Sequence, residues 1–171
     1  MYTRSTQRRN GQSQPAAPSP DVLAVLARFR VIFQTNRKHY QSVQESIGLG
    51  GSQLQALAII AAQPKVGISA LAKAMLVRQP TASNLVEQLV RLGLVLRKKS
   101  GSDLRAIELT ITPKARRVLA RAPGPVIGIL AEAIGSLSPG AIDGLRKSLD
   151  AVLHAMKSRD EGARFRPLAD M

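Results

Sequence analysis

A mainly α-helical fold carrying one β-hairpin is what the sequence predicts, on three observations. Apolar residues recur at spacings of three and four in successive stretches across residues 21–156. Only 94–99 and 105–111 read as strands instead, the second alternating Ile107, Leu109 and Ile111 against Glu108 and Thr110. Composition supplies the third: 44% of the 171 residues are hydrophobic, 3% are aromatic, and there is no Trp or Cys. That suffices for a single-domain core of Leu, Val, Ile and Ala, and it excludes disulfides, cysteine nucleophiles and thiolate metal sites.

The elements follow in order. Residues 1–20 hold Arg, Ser, Gln and three prolines without apolar periodicity, and so read as a disordered basic arm. Val22, Val25, Leu26, Phe29, Ile32 and Phe33 share one face of a helix over 21–44, which Gly48, Gly50 and Gly51 close. Ser52, with Gln55 three residues on, has capping-box spacing and opens a helix over 53–62 that Pro64 stops. A short third helix covers 68–76, rich in strong helix formers. Pro80 suits a first helical position, where its missing N–H costs nothing, and the fourth helix runs from it to Leu92 before Gly93. Ala82, Leu85, Val86, Leu89 and Leu92 form its buried stripe, while Thr81, Asn84, Gln88 and Arg91 share a polar face. The two strands join through Ser100-Gly101-Ser102-Asp103 into a hairpin. Thr112-Pro113 caps a fifth helix, which Pro123-Gly124-Pro125 kinks or divides before the apolar segment 126–134. Ser138-Pro139 opens the last helix, with a stripe of Ile142, Leu145, Leu149, Val152, Leu153 and Met156. The charged residues from Lys157 onward read as a frayed tail, with 159–171 flexible.

Helix, turn, helix and then a two-stranded hairpin is the order of a winged helix-turn-helix. A helix fits the B-DNA major groove, where Asn, Gln and Arg bond base edges in pairs and Ser and Thr reach bases or phosphates. Thr81, Ser83, Asn84, Gln88 and Arg91 are residues of those types. Taken alone, that face is equally the face of a solvated surface helix. Charge placement favours DNA. The chain carries +14 (25 Lys and Arg against 11 Asp and Glu), and residues 91–121 hold nine cations against Asp103 and Glu108, a net +7. Consecutive Arg97, Lys98 and Lys99 repel one another unless phosphates lie beside them. Other chemistries lack residues. His39 and His154 are the only imidazoles and form no metal cluster or nucleophile–base pair. The glycines at 48–51 lack the sequence context of a phosphate loop. Neither catalysis, metal nor cofactor is expected. No apolar run approaches the roughly 20 residues of a membrane span, and no signal-peptide pattern follows Arg4, Arg8 and Arg9, so a reducing cytoplasm is the expected compartment.

The segment Gln79-Pro80-Thr81-Ala82-Ser83-Asn84-Leu85-Val86-Glu87-Gln88-Leu89-Val90-Arg91-Leu92-Gly93-Leu94-Val95, followed by Asp103-Leu104-Arg105 and Leu109-Thr110-Ile111-Thr112-Pro113-Lys114, resembles the MarR family of bacterial transcriptional regulators. The resemblance is strong over 52–115 and rests on helix order and length elsewhere in 21–158. It implies a single domain over 21–158, with a winged-helix lobe at 45–115 and dimerisation helices at 21–44 and 113–158, the first, fifth and sixth helices interlocking in a homodimer. It implies a minor-groove Arg105 held by Asp103 at the wing, although Leu104 and Ala115 depart from the family's usual basic residue and Gly. Arg78 and Gln79, at the head of the fourth helix, join Thr81, Ser83, Asn84, Gln88, Arg91, Arg97, Lys98, Lys99, Asp103 and Arg105 as the expected DNA-binding set. Many members bind small aromatic or phenolic ligands between the dimerisation helices and the DNA-binding lobe; Phe29, Phe33, Arg37, His39 and Tyr40 lie near where that cleft would open. The implied function is repression from a pseudo-palindromic operator on double-stranded DNA, in the cytoplasm at the nucleoid. A nonspecific or architectural nucleic-acid binder is the alternative.

Overall fold

The computed structural model describes residues 17–99, 107–126, 128–156 and 159–170. Most of the expected basic arm, residues 1–16, and the hairpin tip, residues 100–106, lie outside them.

Helix α1 (Pro20–Ile47) starts where Ser19 Oγ accepts the Val22 N–H, and it ends at Gly48, which adopts φ 70°. It runs three residues past the expected Gln44, because Gly48 is the first residue of the glycine cluster in a left-handed conformation. Helix α2 (Gly51–Ala62) corrects the expected capping box. Gly50 precedes the helix, Gln53 Oε1 accepts the Gly50 N–H at 3.0 Å, and Ser52 lies inside the first turn with only 3% of its surface exposed. The cap therefore comes from Gln53 and not from the Ser52–Gln55 pair, since the glycines let the chain turn two residues earlier.

Helices α3 (Ile68–Ala74) and α4 (Gln79–Arg91) follow, then strands β1 (Val95–Lys99) and β2 (Ile107–Ile111). The strands pair antiparallel, Val95 opposite Ile111 and Lys99 opposite Ile107. A third partner has no signature in the sequence. Lys65 N–H donates to the Leu109 carbonyl and Leu109 N–H to the Val66 carbonyl, both at 3.0 Å, so the turn after α2 stitches onto β2. Thr112 caps α5 (Pro113–Arg121) by accepting the Ala115 N–H, and Ser138 caps α7 (Pro139–Ala155) by accepting the Ala141 N–H. The Pro-Gly-Pro triplet divides the region as expected, with α6 (Ile129–Gly135) on its far side.

Burial is uneven. Leu54, Leu57 and Ile60 of α2, Leu71 of α3, Val86 and Leu89 of α4, Val95 of β1 and Leu109 of β2 are fully buried. The core thus sits where α2–α5 meet the hairpin. Helix α1 buries Val43 alone, and α6 and α7 bury none of their described residues. The stripe of α7, from Ile142 to Met156, stays between 37% and 49% exposed, and Val22, Val25, Leu26 and Phe33 of α1 are likewise open. The expected free tail is a second correction. Two 3-10 turns, Glu161–Phe165 and Leu168–Asp170, fold back: Asn36 Nδ2 of α1 donates to the Leu168 carbonyl, and Ser52 Oγ of α2 donates to the Asp170 carboxylate at 2.5 Å. Polar contacts, not an apolar stripe, hold this segment, so hydropathy patterning gave no sign of it.

Candidate nucleic-acid interface

Helix α4 is set against α3 by a tight turn. Leu76 takes φ 54°, its N–H donates to the Lys73 carbonyl at 3.1 Å, and Val77 N–H donates to the Ala72 carbonyl at 3.0 Å. Val77 is drawn into the core, Arg78 becomes the N-cap, and Pro80 occupies the first turn of α4. Ala82, Leu85, Val86 and Leu89 then bury one side of the helix. Leu92, expected in the same stripe, is 42% exposed, because it forms the C-cap where the chain leaves the core.

The opposite side carries Asn84, Glu87 and Arg91 in the open, with Thr81, Ser83 and Gln88 half-buried beside them. Gln88 is engaged within the chain: Gln53 Nε2 of α2 donates to Gln88 Oε1 at 2.6 Å. This contact across 35 residues fixes Gln88 and removes one acceptor from the pair of groups a bidentate base contact needs. Arg78 and Gln79 are exposed at the head of the helix, and the Arg78 guanidinium lies over the Phe165 ring, 5.5 Å from its centroid.

The wing divides the basic run that the sequence presents as one. Strand alternation puts Arg97 and Lys99 on one face and Lys98 on the other, where Lys98 stands in register with Glu108. Arg97 turns toward α4, with its guanidinium 3.9 Å from the Glu87 carboxylate. Asp103 and Arg105 lie outside the described residues.

A cavity of about 710 Å³ opens between α1, the start of α2 and the C-terminal turns. Of the five expected ligand residues, Phe33, Arg37 and Tyr40 line it. Phe29 and His39 do not: Phe29 stacks on Phe33 with centroids 6.1 Å apart, and His39 meets Tyr40 edge-on at 5.3 Å. Sequence reasoning passed over Asn36, Gly51 and Leu168–Asp170, which also line the cavity. The Asn36 Oδ1 atom is buried without a hydrogen-bond partner among the described residues. Tyr40 packs where Gly51 and Gly128 leave room; a Cβ at either glycine would overlap the Tyr40 side chain. Burial, and secondarily the negative charge of Asp170, raise the Tyr40 pKa and keep its phenol protonated. Among the described residues, no three His, Asp or Glu side chains are grouped to hold a metal ion, and no helix is long and apolar enough to cross a membrane.

Residues 47–106 match the MarR family model. Most of the fold has solved counterparts. A MarR family transcriptional regulator from Streptomyces coelicolor, solved in complex with DNA, is 21% identical, with a TM-score of 0.57 over 85% of this chain and 94% of that one. The S. aureus MepR–DNA complex is 20% identical at a TM-score of 0.54, covering 78% of this chain and 96% of that one. Streptococcus pneumoniae FabT in complex with DNA is 19% identical at 0.53, again covering 78% and 96%. No curated protein sequence matches the chain.

Proposed function

We propose that this chain, a MarR-family winged-helix protein and not an enzyme, is a DNA-binding transcriptional regulator that represses from a pseudo-palindromic operator as a homodimer. One observation carries the reading: α4 buries Ala82, Leu85, Val86 and Leu89 in the lobe and turns Asn84 and Arg91 outward, beside a wing bearing Arg97, Lys98 and Lys99. A helix backed rigidly by a core and fronted by base-reading side chains is what major-groove recognition requires, and flanking cations hold such a helix in register on phosphates. Gln79, Thr81 and Ser83 complete the head of that surface. The solved counterparts in complex with DNA agree with this use of the fold.

Dimerisation is supported by the open stripes of α1 and α7, which one protomer leaves facing water. The cavity beside α1 suits a small aromatic or phenolic effector. Phe33 offers a ring, Arg37 a cation, and the unpartnered Asn36 Oδ1 an acceptor for a phenolic hydroxyl. Occupancy there would bias the placement of the lobe on α1 and release the operator. The reading places the protein in the cytoplasm, at the nucleoid.

The test is selection of genomic fragments by the purified protein, followed by competition between the best fragment and random duplex across a salt series. A regulator retains a preference of roughly 10³ or more for its site. Loss of affinity for both duplexes in parallel would establish the nonspecific binder instead.

A further inference from the structure

The C-terminal segment makes three attachments, each to a different element. Its Leu168 carbonyl accepts from Asn36 of α1, its Asp170 carboxylate accepts from Ser52 of α2, and its Phe165 ring lies against Arg78 at the head of α4. The seat is shaped for it. Ser52 is the one buried polar residue among those described, and Asp170 gives its hydroxyl an acceptor there. Gly51, next to it, carries no Cβ, and one added there would collide with the Ala169 Cβ as well as the Tyr40 ring. Asp170 also meets the first turn of the 12-residue helix α2, the end that favours a carboxylate. Pro167 is buried between these contacts, and Arg166 pairs with Asp160 at 3.1 Å, which braces the loop leading in.

Phe165 is different in kind. It stays 43% exposed, so it does not act as a core residue, and what it meets is the guanidinium of Arg78. That guanidinium sits at the N-cap of α4, where a phosphate would meet both its charge and the helix N-terminus. Because the ring belongs to a segment held through Leu168 and Asp170 to α1 and α2, it ties the Arg78 guanidinium to that segment.

We propose that residues 159–170 form an intramolecular clasp that walls one side of the α1–α2 cleft and restrains Arg78, so that release of the clasp strengthens DNA binding. The proposal rests on reading α4 as the DNA-facing helix. It links the cleft to the reader without any change in the core: an effector that seats beside Leu168–Asp170 and leaves Asp170 on Ser52 keeps the arginine restrained, in keeping with release of the operator.

The test uses full-length protein carrying Phe165→Ala, Asp170→Ala or Arg78→Ala, and the double variant Phe165→Ala with Arg78→Ala. Each is titrated with the selected operator fragment and with random duplex over a salt series. Phe165→Ala is expected to tighten binding about two- to fivefold on both duplexes, the range a cation–π contact of this kind restrains, and to steepen the salt slope by about one unit per protomer. In the Arg78→Ala background the same substitution should change nothing. An unchanged affinity, or an equal gain with and without Arg78, overturns the clasp. A readout independent of DNA accompanies it: Asp170→Ala, which removes the acceptor of the Ser52 hydroxyl, should speed trypsin cleavage after Arg159 and Arg164, and undiminished protection also overturns it. If no protein in the set binds any duplex, the regulator reading fails and takes the clasp with it. Sequence-specific binding that Phe165→Ala leaves unaltered sinks the clasp alone.

Discussion

Helices α3 and α4 end in the same way on different residues. At the end of α4, Gly93 takes φ 67°, its N–H donates to the Val90 carbonyl, and Leu94 N–H reaches back to Leu89. At the end of α3, Leu76 takes the same place with the same pair of bonds, to Lys73 and from Val77 to Ala72. A left-handed conformation costs an L-residue about 1–2 kcal/mol, whereas Gly adopts it freely at some cost in entropy. The Leu76 side chain is 76% exposed and so returns little through burial. Leu76→Gly is therefore expected to stabilise the protein by roughly 0.5–1 kcal/mol in urea unfolding, and a loss of that size would mean that the Leu76 side chain is buried against a partner. The end of α4 was legible because Gly announces it; the end of α3 was not, because nothing about Leu signals a positive φ. The same contrast separates two reader residues. Asn84 points outward without restraint from α2, so Asn84→Ala should relax base choice at one operator position, worth about 1–3 kcal/mol of discrimination, with stability unchanged. Gln88→Ala also breaks the bond to Gln53, and should lower stability as well as affinity. An unaltered base preference for Asn84→Ala on a panel of single-base operator variants would remove α4 as the reader.

At the scale of elements, the wing shows how a run in sequence becomes two faces in space. Arg97 and Lys98 are neighbours in the chain, yet the pleat sends them to opposite sides and the exposed Glu87 carboxylate of α4 lies 3.9 Å from the Arg97 guanidinium. Lys98→Ala is expected to lower the slope of log affinity against log salt by about one unit per contacting protomer, since it deletes one phosphate contact. Arg97→Ala should lower it less, because Arg97 is already shared with Glu87. Equal slopes for the two variants would mean that this exposed pair opens on DNA. Elements whose signal is local were readable from the sequence: the caps at Thr112 and Ser138, the alternation of β2, and the stripes of α4 and α7. Those held by distant partners were not. The Val66–Leu109 stitch is a pairing of single residues, and Ser52 meets Asp170 across 118 positions, so no window of sequence contains either contact.

At the scale of the molecule, the lobe closes its own core while the flanking helices do not, and the last prediction follows from that division. Leu57, Leu71, Leu89 and Leu109 are sealed within one protomer, but every apolar residue in the α7 stripe stays at least 37% exposed. A face of this length left in water favours association, and two copies related by a two-fold axis would cover it with the same residues from each side. Leu149→Asp changes a position that the lobe does not bury, so the lobe should remain folded with its helical signal intact. The dimer should dissociate, because two carboxylates would then face each other or an apolar surface across the axis. Light scattering at micromolar concentration is expected to give a dimer for the unaltered chain and a monomer for the variant. DNA binding should fall with it, since a palindromic site with half-sites about 10 bp apart gains its affinity from two reader helices joined at fixed spacing. If Leu149→Asp remains dimeric, the pairing uses the α1 face alone. An unaltered chain that is monomeric and still binds such a site tightly would mean that one lobe suffices, and the exposed stripes would then need another partner.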